Sequence, residues 1–179
     1  GALWNLANNA DNQVKIAEEG GIGALVAAMR AHGSHADVQK NGCGALMNLA
    51  FNDDNKVKIA EEGGIGAVLA AMRAHGSHAL VQESGCGALW NLACNADNKV
   101  KIAEEGGIGA LVAAMRAHGS HADVQKNGCG ALMNLAFNDD NKVKIAEEGG
   151  IGAVLAAMRA HGSHALVQES GCGALWNLA

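Results

Sequence analysis

The chain has 179 residues, a formal net charge of −5, eight His, five Cys and no Pro. An acidic balance argues against nucleic acid or an anionic membrane surface as the main partner. The longest apolar runs, such as ALVAAM, fall far short of the roughly 20 residues that a membrane span needs, and no basic-then-apolar leader opens the sequence, so the expected setting is soluble and cytoplasmic.

The phrase GALWNLA at 1–7 returns as GALMNLA at 44–50, GALWNLA at 87–93, GALMNLA at 130–136 and GALWNLA at 173–179, always 43 residues on. A fixed period of this size is the signature of stacked small units that share one continuous core. The expected organisation is a single solenoid over 1–179. Residues 1–7 are the tail of a truncated third helix, and repeats follow at about 8–50, 51–93, 94–136 and 137–179.

Within the first unit, Asp11 is a candidate N-cap for a short helix carrying Val14, Ile16 and Ala17, which Gly20-Gly21 stops. Ile22, Leu25, Val26 and Met29 then follow the spacing of one buried helical face. Gly33 breaks that helix. Ser34 is the candidate cap of the third, with Asp37 in its first turn. On the third helix Val38, Gly42, Ala45, Leu46 and Leu49 share a core face. Asp37, Asn41, Gly44 and Asn48 form a polar stripe nearly opposite, flanked by Lys40 and Met47. No alternating β pattern appears, so the fold class is all-α with three helices per unit.

Four of the Cys, at 43, 86, 129 and 172, hold one place in successive third helices; the fifth is Cys94. Neighbouring helices sit about 8–10 Å apart, whereas a disulfide needs Cα atoms within about 7 Å. Reduced thiols acting as small core residues are expected.

The order of a short helix, GGI, an amphipathic helix and a long helix ending in NLA resembles the armadillo repeat, as in importin-alpha and beta-catenin. The likeness covers the whole chain. It implies a right-handed α-α superhelix whose third helices line a concave groove, and a binding scaffold for an extended peptide or protein segment. In that family one Asn per repeat grips the peptide backbone. The Asn maps onto Asn48, Asn91 and Asn134, with Asn5 and Asn177 at the ends, and a carboxamide offers both donor and acceptor for the task. Trp90, Asp37 and Asp123 flank this ladder as further candidate peptide contacts. Where importin-alpha carries a Trp one turn before the Asn, this chain has Gly44, Gly87 and Gly130, so recognition of nuclear localisation signals is not implied. Trp4, Trp90 and Trp176 directly precede an Asn instead and are expected to pack against the next unit.

Two kinds of unit alternate. Lys40, Glu83, Lys126 and Glu169 occupy equivalent positions, so stacking should set opposite charges side by side and help fix register. Met47 against Trp90, and Phe51 against Cys94, suggest large residues answered by small ones across the joint. Residues 1–93 and 87–179 differ at only two sites, Asn8 for Cys94 and Gln13 for Lys99. Such identity suggests an engineered concatemer or an excerpt of a longer array. Both ends carry interior-type sequence, so head-to-tail association or a swapped dimer is expected.

The repeated HGSH could attract metal, but nothing in the turn completes a four-ligand set, and helix-end roles suit the pair better. EEGGIG lacks the preceding strand and following Lys of a phosphate loop. Ser34, His32 and Asp37 recur on an exposed turn rather than in one enclosed pocket. No enzyme activity, cofactor or resident metal is expected.

Overall fold

The structure, a computed structural model, describes residues 2–6 and 9–179, and of residues 4 and 5 the backbone alone. Expectations that fall on Trp4, Asn5 and Asn8 lie outside the described residues. Among the described residues every regular element is a helix.

A five-residue helix, α1 (Ala2–Leu6), precedes a threefold pattern that recurs. The short helices are α2 (Ala10–Glu18), α5 (Asp53–Glu61), α8 (Ala96–Glu104) and α11 (Asp139–Glu147). The middle helices are α3 (Gly21–Ala31), α6 (Gly64–Ala74), α9 (Gly107–Ala117) and α12 (Gly150–Ala160). The long ones are α4 (Ala36–Leu49), α7 (Ala79–Leu92), α10 (Ala122–Leu135) and α13 (Ala165–Leu178). Each long helix packs against the next, with α1 against α4, so the long helices form one layer backed by the middle helices. This is an all-α armadillo-type solenoid.

Local chemistry differs from the expected capping in two places. The short helices are capped by Asn rather than Asp11: Oδ1 of Asn9 accepts from the Asp11 amide at 3.0 Å, and Asn95 does the same for Asn98 at 3.1 Å. Asp11 instead sits in the first turn, where its charge complements the helix dipole. The long helices start after His35, His78, His121 and His164, not after Ser34, and Nδ1 of His121 accepts from the Val124 amide. Gly63 and its three equivalents carry φ near 78°, the left-handed link that lets a middle helix turn away sharply from a short one.

The core is a continuous ribbon in which Ile22, Leu46, Leu49, Ile65, Leu89, Leu92, Ile108 and Leu132 have no exposed surface. In the short helices Val14 is exposed, as are Val57, Val100 and Val143, while Ile16 and Ala17 carry the burial. All five cysteines are free thiols.

Candidate interaction groove and the joint between repeats

The asparagine near the end of α7, α10 and α13 is committed to the repeat before it. Nδ2 of Asn91 donates to the Met47 carbonyl at 2.9 Å, Asn134 to Trp90 at 3.1 Å, and Asn177 to Met133 at 2.9 Å. Asn48, at the same place on α4, is buried and engaged within the chain. Asn91 and Asn134 are half-buried, and among the described residues no donor reaches their Oδ1. With Nδ2 of Asn91 engaged on the Met47 carbonyl and Nδ2 of Asn134 on the Trp90 carbonyl and the Cys94 sulfur, each amide still presents an acceptor.

The residue before each asparagine fills the space that its glycine neighbour leaves open. A β-carbon placed at Gly130 would lie 2.5 Å from Cδ2 and 2.8 Å from Cζ2 of Trp90, and one at Gly87 would overlap the Met47 sulfur. Met133 covers Gly173 in the same way. The aromatic missing from the glycine position is thus supplied by the preceding repeat, and the packing expected of Trp90 is present. Met and Trp are each answered by Gly, not by each other.

Phe51 and Phe137 do not join this packing; both are exposed. Lys99 Nζ sits 5.9 Å from the Phe137 ring centroid, a cation–π contact. Cys94, at the equivalent place, accepts from Asn134 Nδ2 at 3.3 Å.

The charge ladder also differs from its expected form. Lys40 pairs with Asp37 at 2.9 Å and Lys126 with Asp123 at 2.6 Å, both within one helix, while Glu83 lies 3.8 Å from His121 of the following repeat. Partners three residues apart on one helix are closer than equivalents on helices 8–10 Å apart. Lys126 holds the Asp123 carboxyl below the ordinary range, chiefly through its hydrogen bond; partial burial opposes it. Asp37, fully exposed, is lowered by Lys40 for the same first reason.

Trp90, Lys126, Met133, Leu166, Glu169 and Ser170 enclose a cleft of about 330 Å³ across α7, α10 and α13. Asp123 lies one turn from Lys126, at the start of α10. Of the expected peptide contacts, Trp90 lines this cleft, Asn134 is bonded to the Trp90 carbonyl, and Asp123 is paired with the lining residue Lys126. Asp37 belongs to the equivalent surface on α4, and Asn48 is sealed beneath it.

Sequence reasoning missed the rest of the joint. Buried Asn98 donates to the Lys56 carbonyl at 3.0 Å and the Leu92 carbonyl at 3.3 Å; Asn55 and Asn141 repeat the arrangement. Lys101 reaches the Ala60 carbonyl at 2.7 Å, and Nε2–H of His118 donates to the Gly76 carbonyl at 2.8 Å. Arg73 crosses the other way to the Glu105 carbonyl at 2.6 Å. Within a repeat, Gln82 bridges the Met72 and His75 carbonyls. The signal was available: polar residues recurring every 43 positions beside apolar core residues. The first His of HGSH and the second Glu of EEGGIG thereby take part in the joint. Among the described residues no three His, Cys, Asp or Glu converge on a common metal position.

No protein-family model matches the sequence, and no curated protein matches it. Solved structures do. An engineered protein from the Northeast Structural Genomics Consortium is 25 % identical, with a TM-score of 0.87 over 99 % of this chain and 70 % of its own. A designed armadillo repeat protein is also 25 % identical, with a TM-score of 0.86 over 99 % of this chain and 73 % of its own. A chain from a structure of the interaction between cadherin and beta-catenin is 19 % identical, with a TM-score of 0.55 over 98 % of this chain and 41 % of its own; it shares the fold alone.

Proposed function

Starting from an armadillo-type solenoid similar to engineered proteins, we propose that this chain is a non-catalytic scaffold whose principal property is stacking of repeat on repeat, and that it associates with itself through its end faces. The near-identity of 1–93 and 87–179 supports an engineered or consensus-like origin. The observation that carries self-association is a contrast between equivalent residues. Ile22, Ile65 and Ile108 are fully buried, yet Ile151 is 38 % exposed, and Trp176 is 84 % exposed where Trp90 is half-covered. Apolar side chains exposed at one end of the array in this way favour association. Light scattering over a wide dilution series tests it: mass should rise with concentration, and a constant single-chain mass throughout would end the proposal.

A second reading is favoured by the free Oδ1 atoms of Asn91 and Asn134 beside the Trp90–Met133 cleft. Here an extended peptide, or a segment of another protein, donates its backbone N–H groups to Asn91 and Asn134. Trp90, Asp123 and, on the preceding repeat, Asp37 flank it, and Asn48 supports the surface from below. Beta-catenin, which shares the fold, appears in a structure concerned with its interaction with cadherin. Selection from a peptide library tests this reading. Enrichment that disappears in Asn91→Ala, Asn134→Ala while helicity is retained supports it; no enrichment rejects it.

A further inference from the structure

The face of the first repeat that carries α1 is only half covered. Leu25 and Val38 are half-buried and Ala28 is exposed. Their equivalents in the second and fourth repeats, Val68, Ala71 and Val81, then Val154, Ala157 and Val167, are buried. In those repeats a full 14-residue long helix, α4 or α10, lies across the face; in the first repeat the five residues of α1 do. A cleft of about 290 Å³ remains open, bounded by Leu3 of α1 and by Leu25, Ala28, Met29, Val38 and Gly42.

The opposite end of the molecule carries the missing piece. Helix α13 spans Ala165–Leu178, and its last turns have the same letters, GALWNLA, as residues 1–7. Its outward face is uncovered: Trp176 and Cys172 are exposed, and Leu175 and Leu178 are half-buried, whereas Cys43, Cys86, Cys129, Leu46, Leu89 and Leu132 are sealed by the next repeat.

We infer that α1 is a displaceable stand-in for α13, and that the surface formed by α3 and α4 takes α13 of a second copy of this chain in its place. This rests on the self-association proposed above and specifies its interface. A tail of identical sequence fits the place that α1 holds. The remaining residues of α13 add cover for Leu25, Ala28 and Val38, which α1 is too short to reach. By the spacing that seats Trp90 on Gly130, Trp176 of one copy seats on Gly44 of the other. The contact joins two different faces, so it is head-to-tail and builds an open chain or a ring instead of a two-fold dimer. While α1 stays in place it competes with the incoming helix and restrains assembly.

Sedimentation over one concentration series tests this with four chains: the 179-residue chain, the chain lacking residues 1–7, full-length Leu3→Asp, and full-length Trp176→Asp. Removing residues 1–7 should lower the concentration of half-association about tenfold or more. Leu3→Asp, which unseats α1 without shortening the chain, should act in the same direction and so separates displacement of α1 from any loosening that truncation causes. Trp176→Asp should suppress association with helicity unchanged. If the 179-residue chain associates but neither removal nor Leu3→Asp strengthens it, displacement of α1 is wrong while self-association stands. If none of the chains associates, both ideas fall.

Discussion

Trp90 occupies the space that a side chain at Gly130 would require, across the boundary between two repeats. At the preceding boundary Met47 does the same for Gly87, but with the flexible end of a thioether. Replacing a helical Gly by Ala gains about 1 kcal/mol from backbone entropy, while overpacking costs about 1–3 kcal/mol. A Met can bend away; three indole carbons cannot do so without moving the whole ring. Gly130→Ala should therefore destabilise by about 1–2 kcal/mol, and Gly87→Ala should stay within about 1 kcal/mol of the parent. Urea midpoints at unchanged m-value read the difference; equal midpoints would contradict the account.

Asn98 is 3 % exposed and its amide serves two backbone carbonyls, both in the preceding repeat. Asn98→Ala leaves both acceptors in a dry site and should cost about 1–3 kcal/mol. Asn91→Ala, at a half-exposed position with one such bond, should cost less because water can replace the lost donor. Chemical denaturation of the two variants ranks them directly, and a larger loss at Asn91 would overturn this ordering.

Thiol chemistry should separate the five cysteines. Burial pushes Cys43 and Cys129 up to about 12 and raises Cys86 as well, so none offers thiolate at neutral pH. Cys94 and Cys172 are exposed. Ellman's reagent should titrate those two in the folded chain and all five in denaturant. Fast modification of Cys86 under native conditions would mean that the repeats part far more readily than the packing implies.

The lowered carboxyl of Asp123 has a definite consequence for pH. Its charged form is favoured in the folded chain, so the stabilisation is present above the unfolded carboxylate value, about pH 4, and is lost as pH falls through the lower folded value. Lys126→Met should return the Asp123 titration toward the ordinary range by NMR. Because both partners are partly exposed, it should reduce stability at neutral pH by no more than about 1 kcal/mol. An unmoved titration would show that Lys126 is not the cause.

How much of this was legible beforehand divides along one physical line. The period fixed the units, and apolar spacing placed Ile22, Val26, Leu46 and Leu49 correctly, because burial follows helical phase. The caps did not follow as cleanly: in a run such as Asn8-Asn9-Ala10-Asp11-Asn12 several side chains can accept from a helix amide, and only backbone geometry decides for Asn9. Val14, Ile16 and Ala17 marked the short helix, but not which of them is buried, because a short helix offers too few residues to define a face. The groove asparagines were legible as a row, but not that their donors turn back to the preceding repeat. That depends on the distance between helices, which sequence spacing within one helix does not contain. Asn98 and Gln82 were visible only as recurrence, since a polar side chain aimed at a backbone carbonyl leaves no complementary letter elsewhere in the chain.

The polar links between neighbours end on main-chain oxygens at Met47, Lys56, Ala60 and Gly76. Such acceptors are identical whatever residue supplies them. The hydrogen bonds that join each 43-residue cassette to the last thus ignore the identity of the residue that accepts them. Cassettes should accept reordering, and rewritten outer surfaces at positions such as 37, 40 and 80 should leave these bonds intact. The molecule is in effect a ruler, whose length is set by the number of cassettes and whose markings can be repainted.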